Sequence, residues 1–104
     1  MDFSAGAAWI NGKVIPVSEA KISVCDWGLT RSDITYDVVH VCDGAFFRLD
    51  DYLDRFEFSM QKLRLDVGMD RRAIRSALIM LVATSGLQSA YVSMVASRGV
   101  PIIP

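Results

Sequence analysis

The sequence predicts an α+β fold: a two-layer sandwich in which an antiparallel sheet carries two helices on one face. Three observations predict it. Asn11-Gly12 and Asp43-Gly44 each stand between short runs of β-type residues, the mark of tight hairpin turns. Residues 49 to 63 and about 70 to 85 carry apolar side chains at steps of three and four, the helical spacing. A last run, AYVSMVAS, alternates residue by residue. Strands, then two helices, then a strand is the order of a two-layer α+β domain.

The elements follow in chain order. AWINGKVI is the first hairpin, because Asn and Gly both accept the positive φ of its turn. A short strand is expected near Ile22 to Val24, and DWGLTRSD is expected to be a structured loop. A long strand over about 34 to 42 and a short one over about 45 to 48 form the second hairpin. Leu49, Leu53, Phe56, Met60 and Leu63 then line one stripe of a helix with Asp50 as its expected N-cap and Asp51 in its first turn. In the next helix Asp70 is the cap and Gly86 the stop, and Ala73, Ile74, Ala77, Leu78, Leu81 and Val82 are the expected buried face.

Length and charge narrow the function. The 104 residues suit a single domain with one modest core. A net charge of −1 supplies no basic field for nucleic acid or anionic lipid. The longest apolar run, ALIMLVA, is far shorter than the roughly 20 residues of a membrane-spanning helix. Cys25, Cys42 and the single histidine make no zinc signature, so no metal site is expected; both cysteines read as reduced core residues of a cytoplasmic protein. Apolar types reach 52% with a mean hydropathy of +0.31, which fits either a surface partly covered by a second domain or subunit or a single domain with a large core.

The candidate chemistry is sparse. No triad, metal cluster or phosphate-cradling glycine loop is present. Arg55 lies about 100° round the first long helix from Phe56, off the apolar stripe. It reads either as the partner of Asp51 one turn earlier or as a fork for phosphate or carboxylate. The long strand places Tyr36, Val38, His40 and Cys42 on one side and Thr35, Asp37, Val39 and Val41 on the other. Neither side is evidently the wet one, which suggests a second face that meets a ligand or partner. Arg31 stands in the loop just before that strand, where an arginine can meet a substrate carboxylate.

WINGK, the run AKISVCDWGLTRSDITYDVVHVCDGAFFRLDDYLDRFEFSMQKLRL and AYVSMVASRG together resemble the N-terminal domain of class IV aminotransferases, the fold-type IV enzymes dependent on pyridoxal 5′-phosphate. The most specific piece is strand, Asp-Gly, strand, then LDxxLxRxxxS. The group includes branched-chain and D-amino acid aminotransferases, (R)-selective amine transaminases and aminodeoxychorismate lyases. SDITYDV followed by DGAFFRLDDYLDR looks most like the (R)-selective amine transaminases, and the Tyr-x-Val pair is shared with D-amino acid aminotransferases.

The resemblance implies a cofactor-phosphate contact at Arg55 and a substrate pocket lined by Tyr36, Val38 and Tyr91. Arg31 stands where the (R)-selective amine transaminases commonly have a histidine, which points to a carboxylate-bearing substrate. It further implies a homodimer that moves an amino group between an amino acid or amine and a 2-oxo acid. The Schiff-base lysine and the acidic partner of the ring nitrogen belong to a second, larger domain. Lys13, Lys21 and Lys62 match neither the position nor the desolvation such a lysine needs. With the apolar ending GVPIIP, the expectation is a fragment, residues 1–104, that does not transaminate by itself. The alternatives are a non-catalytic dimerisation or docking module on the same fold and aminodeoxychorismate lyase chemistry.

Overall fold

The computed structural model describes residues 2–102; Ile103 and Pro104 of the apolar ending lie outside the described residues. Strands β1 (Ala7–Ile10) and β2 (Lys13–Pro16) form a two-stranded hairpin. A short helix, α1 (Trp27–Thr30), leads into β3 (Ile34–Cys42) and β4 (Ala45–Phe46). Helices α2 (Leu49–Leu63) and α3 (Arg71–Ser85) follow, then β5 (Ala90–Ser97). The second sheet has the order β4-β3-β5, antiparallel throughout. The expected architecture is therefore present, with its sheet divided in two.

Both hairpin turns form as the Asx-Gly pairs require: Asn11 and Asp43 have φ of 49° and 52°, and the glycine after each is also positive. The strand expected at Ile22 to Val24 does not form. Ser23 instead folds that stretch into a turn, taking the Cys25 amide on its hydroxyl and the Asp26 amide on its carbonyl, and Ile22 and Val24 stay exposed.

The core lies between the β3–β5 sheet and the helices. Val39, Val41, Val92, Met94 and Ala96 point down from the sheet onto Leu53 and Phe56 of α2 and Ile74 and Leu78 of α3. Leu53 is fully buried, worth about 1.5–3 kcal/mol relative to exposure. α3 also packs against β1, which ties the first hairpin to the helical layer.

Several local expectations are corrected. Helix α2 begins at Leu49 because Arg48, in the left-handed region at φ 52°, turns the chain straight out of β4; Arg48 rather than Asp50 occupies the N-cap. Asp50 falls in the first turn and instead accepts from Arg75 of α3. At the other end Leu63 is exposed and Leu65 is buried in its place. Arg64, left-handed at φ 55°, sends its amide to Gln61 O and that of Leu65 to Met60 O, a Schellman closure that folds Leu65 back under the helix. On α3 the buried stripe narrows to Ile74 and Leu78, with Ala77, Leu81 and Val82 half-buried and Ala73 exposed. Asp70 and Gly86 cap and stop that helix as read, Asp70 accepting from Ala73 N at 2.8 Å. Cys25 and Cys42, expected in the core, are free and exposed, because Cys25 lies in the Ser23 turn and Cys42 on the open side of β3.

Candidate functional site

The two sides of β3 are chemically distinct once the helices are in place. Asp37, Val39 and Val41 face the helical layer and are buried; Tyr36, Val38 and Cys42 face outward and are exposed. On β5 the corresponding outward residues are Tyr91, Ser93 and Val95. Register pairs Tyr36 with Val95, Val38 with Ser93 and His40 with Tyr91. The outward face thus brings together three of the sequence-predicted site residues, Tyr36, Val38 and Tyr91. It is unusually apolar for a wet surface: Tyr36 is 66% exposed and Tyr91 77%. His40 stacks on Tyr91 with ring centroids 4.9 Å apart, so the histidine holds the tyrosine's ring on the sheet.

Asp37 is the one charged residue among β3's helix-facing side chains, and it is only 5% exposed. Burial of a carboxylate requires partners. Its Oδ1 accepts from Val38 N at 3.0 Å and from Arg55 Nη2 at 2.9 Å, and its Oδ2 accepts from Arg55 Nε at 2.9 Å. The Val38 amide needs this bond. His40 O takes the Phe47 amide at the β4 edge, and the two-residue strand period puts the Val38 N–H on the same edge, beyond the reach of two-residue β4.

Arg55 therefore reaches β3 from α2 and is fixed to Asp37 on the helix side of the strand, whose other side carries Tyr36 and Val38. The tethered arginine is still 69% exposed at its side chain. The Tyr52 ring lies 5.5 Å from the guanidinium carbon. The hydrogen bond to Asp37, followed by its charge, pushes the Arg55 guanidinium further above its ordinary range, so it carries its charge at every working pH. The alternative Asp51–Arg55 pair does not form, because Asp51 is engaged by Arg48 at 2.7 Å. Among the described residues Nη1 of Arg55 has no protein acceptor. That free end, on the helix side of β3, can take two oxygens of a phosphate or carboxylate.

Arg31 is placed separately. It ends α1, with its guanidinium 4.3 Å from the centroid of Trp27. Asp26 caps that helix by accepting from Gly28 N at 2.7 Å and also takes the Ser97 hydroxyl, which ties the Arg31 loop to the end of β5. Arg98 forms a further tie: it pairs with Asp33 at 2.8 Å and donates to the carbonyls of Leu63 and Arg64 at the end of α2.

Asp37 and Arg98 were not singled out from the sequence as functional. The signal for Asp37 was available: an acidic residue inside an otherwise apolar strand face needs a cation, and Arg55 is an arginine off the stripe of the helix that packs on that face. Lys13, Lys21 and Lys62 are all exposed. Among the described residues no cluster of His, Cys, Asp or Glu has metal-binding geometry, and no helix is long and apolar enough to cross a membrane.

No family model matches the chain. A D-alanine aminotransferase of Staphylococcus haemolyticus is 29% identical over 92 residues, 88% of this chain and 33% of that protein. One of Listeria innocua is 29% identical over 91 residues, again 88% of this chain, and 32% of its own length. Among solved structures, a T.th. branched-chain amino acid aminotransferase superposes with a TM-score of 0.86 at 26% identity, over 95% of this chain and 35% of that one. The same protein has been solved with pyridoxamine 5′-phosphate, where the TM-score is 0.85. The chain spans about a third of the length of these proteins. Its relatives and structural neighbours are branched-chain and D-amino acid aminotransferases, and its architecture is that of the small N-terminal domain of fold-type IV aminotransferases.

Proposed function

We propose that this chain is the small domain of a pyridoxal-phosphate-dependent aminotransferase and that it supplies one phosphate contact and one wall of the substrate pocket. The observation that carries this is the placement of Arg55: a permanently charged, exposed guanidinium, tethered from α2 to Asp37 of β3, the strand whose other side carries Tyr36 and Val38. Its free N–H groups would take the cofactor's phosphate, while Tyr36, Val38 and Tyr91 would shape the space beside the ring. Bound cofactor supplies the electron sink for proton removal at the amino-bearing carbon. Arg31, on a loop anchored by Asp26, would meet the carboxylate of an amino acid or 2-oxo acid.

The chemistry also needs a desolvated lysine amine, and the three lysines here all lie in water. We place that lysine in a larger domain, corresponding to the remaining two thirds or so of the relatives' length. That domain and a second subunit would cover the outward sheet face, whose exposed Tyr36, Tyr91 and Val95 call for a lid.

The test is a paired assay with pyridoxal 5′-phosphate, an amine donor and pyruvate. The 104-residue chain alone gives only the slow background of free cofactor. The complete polypeptide carrying it turns over, and Arg55→Ala lowers turnover at limiting cofactor and recovers part of it when cofactor is raised. Turnover by the short chain alone, or full activity of Arg55→Ala at limiting cofactor, would refute the proposal.

A further inference from the structure

We propose that Asp37 is a positioning residue for anion capture: it holds the Arg55 guanidinium by one edge so that the other edge meets the phosphate already oriented. This inference rests on the reading of Arg55 as the phosphate contact and extends it to a residue that makes no contact with the ligand itself.

The geometry carries it. A guanidinium has five N–H donors in one plane, arranged along two usable edges. Asp37 occupies the Nε/Nη2 edge with two parallel bonds, both 2.9 Å. The edge left to solvent is Nη1 with the second N–H of Nη2. An arginine on an exposed helix surface otherwise samples many rotamers, and a ligand must freeze them on binding. Here the buried carboxylate has frozen them beforehand. The carboxylate is itself buried and accepts from the Val38 amide of its own strand at 3.0 Å. The chain of restraint runs from β3 backbone to Asp37 to Arg55, with Tyr52 beneath.

Asp37 also brings a negative charge close to an anion site, which by simple Coulomb attraction weakens binding. The two effects have opposite signs, so one substitution separates them. Asp37→Asn keeps the shape and an oxygen for the Val38 amide, and removes the charge and the paired acceptors. If positioning dominates, Asp37→Asn weakens binding. If repulsion dominates, it strengthens binding.

The measurement uses the complete polypeptide carrying this chain and two probes, 4-deoxypyridoxine 5′-phosphate and phosphate-free 4-deoxypyridoxine. Neither has an aldehyde, so neither forms a bond to lysine. We expect Asp37→Asn to lose about tenfold in affinity for the phosphate probe, the scale of re-immobilising one long side chain, with no change for the phosphate-free probe. Asp37→Glu should recover part of the loss. In the ¹H–¹⁵N spectrum the Arg55 Nε–H signal should be slow to exchange before ligand is added, and fast in Asp37→Asn. Equal or tighter phosphate binding by Asp37→Asn, in protein of unchanged thermal stability, overturns the positioning role while leaving Arg55 as the contact. Equal loss for both probes also overturns it, because a general structural defect then explains the result. If Arg55→Ala binds the phosphate probe like the wild type, the reading of Arg55 itself falls, and this inference with it.

Discussion

The Ser97 hydroxyl donates to Oδ1 of Asp26, 71 positions earlier, and the same oxygen caps α1 by accepting from Gly28 N at 2.7 Å. One buried carboxylate thus joins the end of the last strand to the loop that carries Arg31. Trp27 N adds a second stitch to Gly99 O at 3.0 Å. The joint leaves no room at Gly28. A Cβ at this position would collide with Ser97 Oγ and stand 2.9 Å from Asp26 Oδ1.

Gly28→Ala should therefore destabilise the chain by about 1–3 kcal/mol through overpacking. Ser97→Ala removes the nearest obstacle and should reduce the cost of the alanine at 28. Urea unfolding of the two single variants and the double variant checks this as a cycle. Additive losses would show that the crowding at Gly28 is relieved some other way.

Leu53 and Leu63 stand ten residues apart on α2, and both belong to the stripe read from the sequence. Only Leu53 is buried, at 0% exposure, whereas Leu63 is 42% exposed. Leu53→Ala should cost about 2–5 kcal/mol, since it removes contacts on every side and leaves a cavity. Leu63→Ala should stay within about 0.5 kcal/mol. Similar losses at the two sites, measured by denaturant midpoint, would mean that α2 is rotated from its described seat.

Asp70 and Asp50 give the same kind of contrast at helix starts. Asp70 accepts from Ala73 N at 2.8 Å, and Asp70→Ala should cost about 1 kcal/mol. Asp50 caps nothing; its carboxylate meets Arg75 across the surface, and Asp50→Ala should cost no more than about 1 kcal/mol and less in high salt. A salt-independent loss at Asp50 matching that at Asp70 would contradict the assignment of Arg48 to the N-cap.

Much of this was legible in sequence, and the rest failed for local reasons. The hairpins were legible because Asn11-Gly12 and Asp43-Gly44 specify their own backbone. The last strand was legible from alternation. The ends of α2 were not, since both are closed by arginines in left-handed conformations, Arg48 and Arg64, where propensity favours glycine or asparagine. The pattern of β3 looked two-sided because Asp37 stands in its buried face. That ambiguity disappears only when the chain is folded and Arg55, 18 residues on, reaches the carboxylate. Of the proposed site, the residue types were readable; the pairing that fixes Arg55 to the strand is a tertiary fact.

The last prediction concerns pH. Arg55 is pushed up from an already high value, first by its hydrogen bond to Asp37 and then by that residue's charge. A cation whose folded-state value is raised contributes fully at every pH below its unfolded value, and the contribution is lost only as pH climbs through the higher folded one. Both lie far above any working range, so between pH 5 and 9 the arginine supplies constant charge. The titrating partner is the ligand, because a phosphate monoester gains its second negative charge near pH 6. The advantage of 4-deoxypyridoxine 5′-phosphate over its phosphate-free counterpart should therefore be flat from about pH 7 to 9 and shrink as pH falls through about 6. A decline between pH 7 and 9 would point to an amine as the anion's holder. Substituting Lys13, Lys21 and Lys62, the three lysines of these 104 residues, one at a time would show whether that amine belongs to this domain or to the larger one.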